Sequence, residues 1–372
     1  MNIPFVDLKA QYQSIRQEID AAISAVIQET AFVGGTHVKK FEESFARYCG
    51  VSHCVGLANG TDALFVALRA LGIGAGDEVI TVANSFVATS EAIKMAGAQV
   101  VFVDCDPNTY TIDVRKIEEK ITPRTKAIIP VHLYGQPADM DAIQRIAKAH
   151  SLRIVGDAAQ AHGATYKGEP ISTFADITCF SFYPGKNLGA YGDAGALVTN
   201  NEEWALAGRM FANHGRTKKY DHDLEGINSR LDGLQAAILS VKLQHLDGWT
   251  ESRRKNAYKY NEALKGLDAV VTPQELDDVR AVYHLYVIRV PEGTRDALRD
   301  FLKASGIEAG VHYPIALPYL NAYRHLNHSE SDFPVSLKAS GQILSLPMFP
   351  ELSDEQIELV AQEIRRFYSN NK

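Results

Sequence analysis

Two rhythms run through the apolar positions of the chain. Near its start, residues 8–28 carry Ile15, Ile19, Ile23 and Val26 at three- and four-residue intervals, the period of one helix face. After about residue 50 the pattern becomes a series of short runs rich in Val and Ile, at 53–57, 79–82, 100–103, 127–131, 153–156, 177–182 and 195–199. Most of these are too short for helices and suit strands buried on both faces. Helix-period stretches at 61–71, 88–96, 114–120 and 140–150 separate several of them. Such alternation predicts an α/β domain, with helices flanking a mostly parallel seven-stranded sheet.

The last third reads differently. Two long helical patterns, 231–246 and 250–267, precede a strand at 282–290 and a helix at 294–304. Short strands at 309–312 and 343–346 and a closing helix at 353–368 complete a smaller C-terminal α+β domain. The boundary is expected at 247/248, giving a large domain of 1–247 and a small one of 248–372.

Composition narrows the function classes. The chain has 372 residues, 46% hydrophobic and 22% charged, which suits a folded globular protein and exceeds what one core usually organises. Its net charge of −7 gives no electrostatic footprint for nucleic acid. No apolar run is long enough to span a bilayer, and the opening MNIPFVDLKAQYQ shows no basic stretch followed by an apolar one. Cys49, Cys54, Cys105 and Cys179 form no CxxC pair, so reduced thiols and a cytoplasmic location are expected. No HExxH or paired CxxC signature points to a metal, and His325 and His328 lie in a polar segment that reads as a solvated face.

In open α/β sheets, ligands bind beyond the carboxyl ends of the strands, so polar residues there matter most. The first strand runs into Asn59-Gly60-Thr61 at the start of a helix, where free N–H groups and the positive dipole end favour a phosphate. An ordinary capped turn has the same look. The run 153–156 ends in Asp157, a carboxylate that is costly at a buried strand end unless it is paired. A helix cap or a structural ion pair is the plainer account of Asp157. After 177–182 comes Tyr183-Pro184-Gly185-Lys186, a lysine in a Gly/Pro loop beside aromatics. A lysine shielded from water becomes a usable amine nucleophile, although most loop lysines are simply solvated. Together the three features match the needs of pyridoxal phosphate: an amine for the Schiff base, a carboxylate for the pyridine nitrogen and a helix end for the phosphate. No GxxxxGK[ST] and no GxGxxG after the first strand supports a nucleotide-binding alternative.

The motifs NGTDAL (59–64), ANSFVAT (83–89), DAAQAHGA (157–164), SFYPGKNLGAYGDAGA (181–196) and NSRLDGLQAAIL (228–239), in that order, resemble the DegT/DnrJ/EryC1/StrS nucleotide-sugar aminotransferases, of aspartate aminotransferase fold type I. PFVDLKAQY (4–12), HYP (312–314) and LPMFPELS (346–353) extend the resemblance over essentially the whole chain. It implies that Lys186 is the Schiff-base lysine and proton shuttle, that Asp157 pairs with the pyridinium, and that Gln160 sits near the cofactor's phenolic oxygen. Phe86 would stack on the ring, and Gly60, Thr61 and Ser181 would hold the phosphate. Asn228 would reach the phosphate of a neighbouring subunit, making a homodimer with shared sites. Tyr183, His312 and Tyr313 would face the sugar. The loop after Asn213, with Arg216, Lys218 or Lys219, would close over nucleotide phosphate, while Arg230 would help with phosphate or pair with Asp232.

The dehydratase branch of that family carries histidine where this chain has Lys186, so transamination is implied over C3 deoxygenation. The segment 181–196 is similar to members that aminate C3 of dTDP- or UDP-linked 3-keto sugars. The expected reaction moves an amino group from L-glutamate to a 3-keto-6-deoxyhexose. A 4-keto sugar, a cyclitol, a lyase reaction and a non-catalytic regulatory role are the alternatives.

Overall fold

The computed structural model describes residues 2–370. Seven strands form the main sheet: β1 (His53–Leu57), β2 (Glu78–Val82), β3 (Gln99–Val103), β4 (Thr125–Ile129), β5 (Arg153–Asp157), β6 (Ile177–Ser181) and β7 (Gly195–Thr199). Their order is β1-β7-β6-β5-β4-β2-β3. Only β7 runs antiparallel to its neighbours, β1 and β6. Successive side chains of a strand point to opposite faces, and both faces are buried here. Ile128 belongs to one apolar core, while Ala127 and Ile129 belong to the other.

Eleven helices surround the sheets among the described residues: α1 (Leu8–Ser14), α2 (Arg16–Glu29), α3 (Gly35–Tyr48), α4 (Gly60–Ala70), α5 (Ala88–Met95), α6 (Met140–His150), α7 (Glu202–Phe211), α8 (Gly233–Leu264), α9 (Arg295–Ala304), α10 (Pro334–Gln342) and α11 (Asp354–Asn370). Leu64 of α4, Ile93 of α5 and Phe211 of α7 cover one face of the main sheet. Phe41 of α3, Ile143 of α6 and Leu239 of α8 cover the other. Side-chain caps fix several starts: Asn59, Asp139 and Asn201 each accept an N–H from the first turn of α4, α6 and α7. The smaller C-terminal sheet pairs β8 (Tyr286–Arg289) antiparallel with β9 (Ile343–Leu346). Leu298 of α9 and Ile364 of α11 continue the core shared by α3, α6 and α8.

Several elements differ from their sequence expectation. The helix expected over 8–28 is split into α1 and α2, because Ile15 (φ −125°, ψ 20°) leaves helical geometry. Residues 114–120 make two short 3-10 turns. The strand expected at 309–312 is a single bridge between Gly310 and Ser345. The two helices expected around residue 248 are one 32-residue helix, α8. Gly248 lowers helix propensity by about 1 kcal/mol, which packing along the helix outweighs. The join expected at 247/248 therefore falls inside a helix rather than in a linker. No helix among the described residues is long and apolar enough to cross a membrane.

Two glycines let strand ends crowd together at the top of the sheet. A Cβ on Gly195 would lie 2.3 Å from the Asn59 carbonyl oxygen, and one on Gly60 would lie 2.5 Å from Ser181 Cβ. Because the first obstacle is backbone, Gly195→Ala is expected to destabilise the protein by roughly 1–3 kcal/mol. Thermal unfolding checks this, and an unchanged midpoint would mean that β1 and β7 part freely at this end.

Candidate active site

The carboxyl ends of β1, β5 and β6 open into one cavity of about 620 Å³. Its wall brings together Gly60, Thr61, Phe86, Asp157, Gln160, Ser181, Tyr183, Lys186, His312 and Tyr313, ten of the twelve residues expected from the sequence. Asn228 and Arg216 lie outside it. Asn228 is exposed and bridges Asn213 through its backbone, while Arg216 opens a two-stranded ribbon, Arg216–Lys218 with Asp221–His222. Arg230 donates to Asn213 Oδ1 at 3.4 Å, so it is Asn213 rather than Asp232 that it engages.

Asp157 is the last residue of β5 and is 6% exposed. Thr89 Oγ1 donates to its Oδ2 at 2.8 Å, and the Ala159 N–H donates to its Oδ1 at 3.2 Å. Ser85 Oγ lies 2.9 Å from Thr89 Oγ1, which extends the chain of hydroxyls back into the turn before α5. Burial raises the carboxyl pKa against the pull of these donors and of the Lys186 charge. Lys186 follows β6 in a loop whose first turn is closed by its own N–H on the Tyr183 carbonyl at 2.8 Å. Burial lowers its pKa to about 8, and Asp157 holds it from falling further.

The remaining wall is mainly apolar, with a few polar groups set into it. Gln160 accepts the Tyr134 N–H at 2.6 Å and donates to the Tyr313 hydroxyl at 3.2 Å. His312 Nδ1 lies 2.8 Å from Ser345 Oγ, and its ring stacks on Phe5 with centroids 5.5 Å apart. Burial and the Lys186 charge bring the His312 pKa down to about 4. His284, 3.2 Å from Asn187 Oδ1 through Nδ1, is held well below the usual imidazole range by burial. Phe86 is 53% exposed and tilts against Tyr313 at 5.7 Å, so it is a wall of the cavity and not a core aromatic.

Sequence reasoning passed over Ser85, Thr89, Asp193, His284, Phe5 and Met348, all of which line the cavity. Thr89 had a signal, since it lies in the first turn of a helix that follows a strand end, while Ser85 comes from the turn before it. His284 had none, because it arrives from a loop nearly a hundred residues downstream of Lys186.

The donor set fits pyridoxal phosphate. The missing Cβ of Gly60 keeps the α4 N terminus against Ser181, which leaves amides and hydroxyls for a phosphate. Asp157 is a buried anion suited to a protonated ring nitrogen, and the Lys186 amine faces the same space. A seven-stranded α/β sheet with these groups at its strand ends defines the class of PLP-binding enzymes. The chain belongs to the DegT/DnrJ/EryC1/StrS aminotransferase family, whose profile matches residues 13–365.

It is 48% identical over 99% of both chains to a "Pleiotropic regulatory protein" of Geobacillus stearothermophilus. It is 44% identical, over 98% of this chain and 96% of the relative, to the "dTDP-3-amino-3,4,6-trideoxy-alpha-D-glucose transaminase" of Streptomyces venezuelae. Among solved structures, S. venezuelae DesV in complex with a ketimine intermediate superposes with a TM-score of 0.96, covering 98% of each chain at 44% identity.

In the cofactor-free chain, the Lys186 amine is expected to titrate near pH 8. Asp157→Asn should lower that midpoint, because the carboxylate stabilises the ammonium. The pH dependence of Lys186 labelling by an amine-reactive reagent, read by peptide mass spectrometry, measures both. An ordinary lysine midpoint that ignores the substitution would place the amine in solvent.

Proposed function

We propose that the protein transfers an amino group from L-glutamate to C3 of a dTDP- or UDP-linked 3-keto-6-deoxyhexose, in amino-sugar biosynthesis in the cytoplasm. The observation that carries the reading is the Lys186 amine and the Asp157 carboxylate lining one desolvated cavity beside the α4 N terminus. Pyridoxal phosphate, when bound, supplies the electron sink. Gly60, Thr61 and Ser181 bind its phosphate, and Asp157 holds the ring nitrogen protonated. Lys186, with a neutral amine partly populated near neutrality, takes and returns a proton at the carbon that gains or loses nitrogen. Tyr183, His312 and Tyr313 line the sugar side, where uncharged imidazoles and phenols hydrogen-bond hydroxyls without attracting carboxylates.

Two supports bear on the finer points. The S. venezuelae relative is named for a 3-amino sugar, which favours C3 over C4. Among the described residues, no arginine lines the cavity and Lys186 is its one lysine. A diphosphate and a dicarboxylate therefore need cations from elsewhere, and a second copy supplies them through Arg216 and Arg230, with Asn228 as a neutral donor to phosphate, in a homodimer with two composite sites.

A panel of 3-keto and 4-keto nucleotide sugars assayed with glutamate tests the reading. Amination of 3-keto substrates is expected, with loss of all turnover in Lys186→Ala and a fall of orders of magnitude in both half-reactions in Asp157→Asn. Full activity in Lys186→Ala would overturn it, and no turnover by the parent chain with any keto sugar would favour a regulatory role. For the composite site, Lys186→Ala mixed with Asn228→Ala should regain active sites through heterodimers. Random mixing makes about one site in four intact. No recovery after verified subunit exchange would leave each site self-contained.

A further inference from the structure

Lys242 sits on the inner face of α8 at 0% exposure. Lysine is almost never buried so deeply without a paired carboxylate, because the ammonium loses its hydration. Lys242 makes no ion pair among the described residues. Its Nζ donates to the Gly189 carbonyl at 2.7 Å and lies 4.2 Å from the centre of the Tyr191 ring. Glu351 attracts it only from a distance. Both of its partners belong to the segment that carries Lys186. Gln235, two turns earlier on the same helix, grips that segment as well. It accepts the Tyr191 N–H at 2.8 Å and donates to the Tyr191 carbonyl at 3.3 Å.

The loop itself is tight. The Ala190 N–H bonds to the Phe182 carbonyl at 2.8 Å, and a Cβ on Gly189 would lie 2.3 Å from the Pro184 oxygen. A shift at Gly189 is therefore passed to Pro184 and Lys186 rather than absorbed. An ammonium that costs the fold stability, and whose hydrogen bond and ring contact both lie on this loop, has its use there.

We propose that Lys242, together with Gln235, is a positioning residue that clamps loop 183–192 from behind and keeps the Lys186 amine aimed into the cavity. The inference rests on Lys186 being the reacting amine. Lys242→Met keeps an apolar stem of similar volume and removes the grip on Gly189 and Tyr191, so a change confined to loop 183–192 separates this role from a general structural one.

The full chain is examined with and without cofactor. Without it, amide hydrogen exchange across 183–192 is expected to quicken by about tenfold or more in Lys242→Met, with exchange in the main sheet unchanged. With it, kcat of the glutamate half-reaction is expected to fall about tenfold or more, while KM stays within about twofold. Gln235→Leu, at a half-buried position, should give the same pattern at smaller amplitude. Unchanged exchange in that loop in both variants overturns the proposal. So does a Lys242→Met chain that exchanges faster throughout, because that marks an ordinary structural residue. If the parent chain turns over no glutamate, the reading of the reaction fails while the exchange measurement still decides the clamp.

Discussion

A carboxylate and an amine share one cavity from which most water is excluded, and the rest of the site is arranged around that pair. Burial disfavours charge on both, while each opposite charge favours the other. Thr89 and the Ala159 amide tip Asp157 toward its anion. Among the described residues no hydrogen-bond acceptor holds the Lys186 ammonium, and burial lowers its pKa to about 8. The surrounding imidazoles are uncharged because burial and the lysine both oppose their protonation. A positive ring nitrogen brought to Asp157 would meet no competing cation except the amine meant to react.

The sheet makes this arrangement cheap to build. β5 and β6 are parallel neighbours in register, Asp157 opposite Cys179, so Asp157 and Ser181 emerge at the same end. β7 returns antiparallel between β6 and β1 and brings the start of α4 beside Ser181. The close approaches at Gly60 and Gly195 then set how near the helix end comes to the other two strands. A phosphate bound there would be located by backbone, which has fewer ways to relax than side chains.

Much of this was legible in the sequence, and the legible part has a common physical origin. Strands buried on both faces must be apolar throughout, so all seven runs stood out, and the polar residues that interrupt them at one end stood out with them. Lys186, Asp157 and Gly60 were visible for that reason. Helices α3, α7 and α10 were not anticipated, because helix period competes there with polar positions and short length. The continuity of α8 was hidden by Asp247 and Gly248, two residues of low helix propensity that packing against α2, α3 and α11 overrides. His284, Phe5 and Met348 were invisible because each reaches the cavity through chain reversal, which leaves no periodic trace.

The continuity of α8 has a consequence for how the site keeps its shape. Near its start the helix holds the Lys186 loop through Gln235 and Lys242. Further along, buried Arg253 donates to the carbonyls of Tyr283, His284 and Met348, and Asn256 donates to that of Phe349. His284 and Met348 are cavity wall. The amine and the opposite wall are thus registered on one rigid rod, separated along it by the rise of eighteen residues, roughly 27 Å. A hinge at residue 247 would let wall and amine drift independently. A helix through that point couples the segments that follow it to the lysine loop, so the depth of the cavity follows from the rod.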